Sequence, residues 1–208
     1  MPFEVRSYDF EIRTEDRDGI GIISGLPVVY NSRTNLGDMD EVIMPGALDG
    51  ADLRDVRFLV NHNTKMIPLA RSRRNNGNST MTLAVTEQGL ELKEARLDIR
   101  NNATAAELYS AVKRGDISGM SFMFVIDGEE WEDLETDHPL RKITKISNII
   151  EVSAVMFPAY DATDINARCR ETLESARAAL EKARQQNVRT VDTAMELELL
   201  KLRTHRLI

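Results

Sequence analysis

The stretch Arg114-Gly-Asp-Ile-Ser-Gly-Met-Ser-Phe-Met-Phe-Val-Ile126 contains a helix stop and then a strand, and its reading decides the fold class. Before it, Ala103 to Lys113 puts Ala105, Leu108, Tyr109 and Val112 on one face at helical spacing, and Gly115 follows as a C-terminal stop. After it the period changes from helical to two-residue. Met120 to Ile126 alternates so that Ser121, Met123 and Val125 share one face, and Gly119 permits a sharp turn or a close approach at the entry. Working outward, Val5 to Ile12, Gly19 to Tyr30, Arg57 to Val60, Met81 to Val85, Leu90 to Leu97 and Ile149 to Met156 are also β-branched, aromatic or alternating. Seven such strands within about 165 residues predict a mostly β domain with inserted helices (α+β), either a barrel or a strongly bent sheet.

From Cys169 onward the sequence has no Gly or Pro and reads as helix to Leu202. Leu173, Ala176, Leu180 and Ala183 form a narrow apolar stripe there, of the kind that packs on a partner or on the parent domain. Residues 169–208 hold 8 Lys and Arg against 6 Asp and Glu, leaving 19 against 28 for residues 1–168. The chain therefore divides into a domain, 1–168, and a helical C-terminal tail, 169–208. The acidic run Asp127 to Asp137 reads as a solvated loop or hairpin.

Composition excludes several classes. The 208 residues can bury a real core, and with 42% hydrophobic and 29% charged residues neither a collagen-like nor a wholly disordered chain fits. A net charge of −7, with no basic block longer than Arg71-Ser-Arg-Arg74, argues against a dedicated nucleic-acid binder, whose affinity is mostly electrostatic. The single cysteine, Cys169, cannot close an intramolecular disulfide, and a zinc site would have to be built from three His and carboxylates. No apolar run approaches the roughly 18 residues that span a bilayer. Met1 to Arg6 has no signal-like pattern. The expectation is a protein of a reducing, cytosol-like compartment, without membrane, metal or cofactor.

Three segments could carry chemistry. In Val56-Arg-Phe-Leu-Val-Asn-His-Asn63 a short strand delivers His62 at its end, rigid and accessible, as a general base needs to be. Ser121 is a hydroxyl at the start of the apolar Met120 strand. It is not the nucleophile elbow of an α/β-hydrolase, because the second Gly and the following helix are missing. Ile149-Ile-Glu-Val-Ser-Ala-Val-Met-Phe-Pro-Ala159 is apolar except at Glu151 and Ser153, and a carboxylate in such a run needs a partner, an imidazole or equally an Arg or Lys. Each segment alone also has an ordinary structural reading. Together they supply the hydroxyl nucleophile, imidazole base and carboxylate of acyl transfer.

The same residues carry a resemblance. Pro45-Gly-Ala47 after Glu41-Val-Ile, Leu59-Val-Asn-His62 before Pro68-Leu-Ala-Arg71, Gly115-Asp-Ile-Ser-Gly-Met-Ser-Phe122 and Ile150 to Ala159 occur in order over about residues 18 to 168. In this the chain resembles the HK97-type prohead proteases of tailed bacteriophages. The resemblance implies a serine endopeptidase with an assemblin-like fold, a small β-barrel ringed by helices. It implies His62 as base, Ser121 as nucleophile, Glu151 as third member, and oxyanion donors near Ser121 or around Arg71 to Arg73. It also implies cleavage of the major capsid protein, a scaffold segment and the enzyme itself, inside an immature head in the host cytoplasm, with self-association left open. Met123 and Ala70 stand where the family often has Gly. The competing expectations are a non-catalytic capsid assembly or scaffolding module, and a metal-dependent hydrolase using His62.

Overall fold

The strand that carries Ser121 is central because its other face is apolar: Met120, Phe122 and Phe124 are fully buried, and the two Phe rings stack with centroids 4.6 Å apart. The structure is a computed structural model and describes residues 3–9, 13–156 and 173–189, with 193 and 195. Its strands are β1 (Glu4–Asp9), β2 (Arg13–Arg17), β3 (Ile20–Val29), β4 (Arg33–Asn35), β5 (Asp40–Ile43), β6 (Arg57–Val60), β7 (Ala70–Arg71), β8 (Met81–Thr86), β9 (Gly89–Asp98), β10 (Gly119–Glu132) and β11 (Leu140–Val155). Helix α1 (Ala103–Arg114) lies between β9 and β10.

β10 and β11 form a long antiparallel hairpin, with β1 antiparallel on the free side of β10. On its far side β11 has two parallel partners in succession, β5 along Leu140–Ile143 and β6 along Glu151–Ala154. β4 and β7 complete this seven-stranded sheet. The second sheet, β2-β3-β9-β8, is antiparallel throughout. The main core lies between the two, with Phe58, Phe122 and Val152 from the first meeting Ile23, Leu90 and Leu92 from the second.

α1 buries Ala105, Leu108, Tyr109 and Val112, the face its spacing predicts. The Asn102 side chain caps it by accepting the Ala105 N–H at 3.2 Å, and Gly115, at φ 81°, ends it in a left-handed turn that L side chains resist. The helix reaches the second sheet over Gly21, where a Cβ would lie 2.6 Å from Tyr109, so only glycine allows that approach.

All seven expected strands are present, and β2, β4, β5 and β7 are additional. The Val5 to Ile12 expectation is met by β1 over Glu4–Asp9; residues 10–12 lie outside the described residues. The barrel is not. Among the described residues the strands make two open sheets whose edge strands do not pair with one another, and no ring of helices surrounds them. The physical reason is β11: by exchanging β5 for β6 along its length it splits the first sheet into two branches instead of passing a single edge round to close.

Residues 173–189 are helical, and two of the four residues of the expected stripe, Ala176 and Leu180, are buried, with Leu173 and Ala183 half-buried. Ala176 and Leu180 are buried with Met39, beside Leu36, Trp131 and Leu134. Arg184 donates to the carbonyls of Leu134 and Thr136. The connecting stretch Phe157 to Arg168, Cys169 and the end of the tail lie outside the described residues. No helix among those described is long and apolar enough to cross a membrane.

Candidate active site

The end of β6 is where the backbone departs from regular structure. Asn61 still extends the β6–β11 ladder through its N–H to the Ala154 carbonyl, 3.0 Å. Then Asn61 and His62 both take left-handed conformations, φ 48° and 55°. Asn and His tolerate that region better than most residues, but holding two in succession is a cost the surroundings must offset. Three hydrogen bonds do so: Asn63 N–H to the Val60 carbonyl at 3.0 Å, Met156 N–H to Asn61 Oδ1 at 3.1 Å, and His62 N–H to Ser153 Oγ at 3.1 Å.

This turn folds the imidazole back over β11, where Nδ1 meets Glu151 Oε1. The second carboxylate oxygen, Oε2, accepts the Ser153 hydroxyl. Glu151 is 1% exposed and His62 7%. An isolated carboxylate at that depth would cost several kcal/mol, so these two donors are what permit it. Because a carboxylate only accepts, Nδ1 carries the proton toward Glu151 and the neutral ring has its acceptor at Nε2. Nε2 is buried and has no hydrogen-bond partner among the described residues.

Ser121 lies one strand away, opposite Ser153 in the β10–β11 register, with Met123 opposite Glu151. Residues opposite each other in an antiparallel pair project to the same face, so Ser121, Ser153 and Glu151 share the face of the sheet opposite to that of Phe122 and Val152. Ser121 is fully buried, and its hydroxyl donates to the Arg6 carbonyl of β1 at 2.8 Å. The fold thus brings His62 and Glu151 into contact and sets Ser121 across the strand from the serine that holds both, without a hydrogen bond between Ser121 and His62. An imidazole fixed by a carboxylate at Nδ1 and free at Nε2 can take a proton from a hydroxyl and return it to a leaving group.

The caudovirus prohead serine protease family matches residues 8–178. The chain belongs to that family. It is also similar to the prohead protease of Enterobacteria phage HK97, 27% identical over an alignment of 173 residues that covers 80% of this chain and 70% of that protein. No solved structure matches it. The protein is a serine endopeptidase of phage head maturation, acting within the prohead.

His138 takes no part in this arrangement: it is exposed before β11, with Nε2 on Asp40 at 2.8 Å. The Arg71 N–H is engaged by Thr80 Oγ1 at 2.9 Å and the Ser72 N–H by the Val56 carbonyl at 3.0 Å, so neither is available to hold an oxyanion. Two features escaped the sequence reading. Ser153, which touches both Glu151 and the His62 backbone, had a signal: it shares a face with Glu151 in a strand otherwise apolar. The second feature is a buried ionic network. Arg6 bonds Glu4 and Glu41, and Arg141 bonds Glu4, Glu41 and Glu129. Burial pushes the Glu41 carboxyl up, but the charges and hydrogen bonds of Arg6 and Arg141 outweigh it and hold Glu41 below the usual range.

Proposed function

We propose that the protease cleaves capsid and scaffold polypeptides, and itself, with Ser121 as nucleophile, His62 as general base and Glu151 as the carboxylate that orients the imidazole. The observation that supports this best is the unpartnered, buried Nε2 of a histidine whose Nδ1 is already committed to a carboxylate. Ser121 Oγ turns from the Arg6 carbonyl toward Nε2, gives up its proton there and bonds to the scissile carbonyl carbon. The tetrahedral intermediate collapses as the imidazolium protonates the departing amine. Water then hydrolyses the acyl-enzyme with the same base. Glu151 keeps the ring in the productive tautomer and stabilises the imidazolium. The work takes place in the immature head in the host cytoplasm, and residues 169–208, opposite in charge balance to the rest, are the segment that meets coat or scaffold and is subject to processing.

Intact mass after expression tests the reading. Fragments smaller than 23.5 kDa are expected from the wild type and from Ser118→Ala, and none from Ser121→Ala or His62→Ala. The double variant should be scarcely worse than either single one, since members of such a unit act together. Fragments that persist in Ser121→Ala, or vanish in Ser118→Ala instead, would mean another nucleophile.

A further inference from the structure

A cavity of about 700 Å³ opens between the β6–β7 loop and α1. Val60, Met66 and Leu69 form one wall and Leu108 and Ala111 of α1 the other, with Ile117 between them and the polar Asn102, Thr104 and Glu107 at the α1 side. Ile67, at the same site, is 84% exposed, the most exposed large apolar side chain among the described residues. An isolated surface isoleucine means little, but one on the lip of an apolar cavity extends a surface that the protein does not itself cover.

Its position relative to the catalytic residues gives the cavity a meaning. Asn61 and Asn63, which flank His62 on both sides, line it, and Ile117 sits on the approach to the strand of Ser121. The two chain segments that deliver base and nucleophile therefore meet the same cavity. We infer that it is the substrate side-chain subsite of the protease: it takes large aliphatic or aromatic side chains next to the scissile bond of an extended polypeptide. This rests on the catalytic reading above. An extended chain sends alternate side chains to one face about 7 Å apart, and a cavity of this size accommodates two such side chains in succession. An Asp side chain would leave its hydration for a wall of Met, Leu and Ile whose one charged lining residue, Glu107, repels it, so discrimination comes from rejecting Asp as much as from binding Leu.

Internally quenched peptides test it, with Ala, Asp, Leu or Phe placed in turn at each position around the cleaved bond. For the wild type, kcat/KM should favour Leu or Phe over Asp by about tenfold or more at one position or at two alternate ones. Ile67→Ser, a surface change, and Ala111→Trp, which fills the cavity, should each reduce that preference by about tenfold through KM. Val85→Ser, an exposed position on β8, should leave it unchanged. Covalent labelling of Ser121 by a fluorophosphonate is read in parallel. A wild type that is labelled but shows no apolar preference, or a preference that survives both variants, overturns the subsite alone. A wild type neither labelled nor active overturns the catalytic reading and the subsite with it.

Discussion

At the scale of single residues, the site depends on Ser153 in a way its burial alone would not reveal. Its hydroxyl does two things at once, donating to Glu151 Oε2 and accepting the His62 N–H. Removing it leaves a buried N–H unpaired and the carboxylate with one donor fewer, a loss of about 1–3 kcal/mol in positioning. Ser153→Ala should therefore lower kcat about tenfold or more with KM little changed, while Ser153→Thr, which keeps the hydroxyl, should recover most of the rate. Steady-state kinetics on the two folded variants decide between positioning and mere packing. If Thr behaves like Ala, or if the loss falls on KM, Ser153 is only a core residue. Ser121 and Glu151 were legible as candidates because each is a polar group in an apolar run, and His62 because it stands at the end of a short apolar strand. The contact between His62 and Glu151 was not, since it depends on two left-handed residues at the end of β6 that no periodicity encodes.

At the scale of elements, local pattern worked where one face is buried and the other wet. β3, β6, β8, β9 and α1 all match their apolar periods to within one or two residues. It failed where strands are short or polar on both faces. β10 continues to Glu132 and β11 begins at Leu140, beyond the apolar runs, because the hairpin tip is held by cross-strand charge pairs, Glu132 with Lys142 and Glu129 with Arg141. The helix 173–189 illustrates the same division: its stripe was readable, the surface it covers was not. Deleting residues 169–208 would uncover Met39, Trp131 and Leu134 together. A chain ending at residue 168 should consequently be less soluble and unfold at a lower temperature than the full chain. Sedimentation and thermal melting check this, and a truncated form as soluble and stable as the full chain would show the helix to be dispensable to the fold.

At the scale of the whole molecule, stability should be sensitive to acid. Glu41 is fully enclosed between Arg6 and Arg141 and binds its proton less readily folded than unfolded. Its contribution is thus complete above the ordinary glutamate range and is lost as pH falls through the depressed folded value. Asp52, held down to about 2 by hydrogen bonds from the Arg54 side chain and N–H, extends the same trend further into acid. Trp131, the single tryptophan, lies with its ring centroid 5.7 Å from the Arg141 guanidinium and reports on the network. Its fluorescence should show unfolding as pH drops below about 4. Glu41→Gln should cost about 3–5 kcal/mol near neutrality, because it removes the buried charge that Arg6 and Arg141 share and leaves Glu4 and Glu129 to balance both guanidinium groups, and it should flatten the acid dependence. An unaltered slope between pH 5 and 2 in that variant would remove Glu41 from the explanation.

The amino-acid sequence alone determined seven of the strands and α1, the apolar faces of those elements, the three side chains proposed as reactive and, through the order of its motifs, the family. These are properties of neighbours in the chain: a period of two or 3.6, a glycine stop, a polar residue in an apolar run. Only the tertiary structure decided that the strands form two open sheets, that the imidazole rests on Glu151 with Nε2 free, that Ser153 stands behind both, and that Glu41 finds Arg6 and Arg141, 35 and 100 residues away. Such pairings depend on which edges β11 accepts along its length, a choice made by the packing of both faces at once and so invisible to any local pattern.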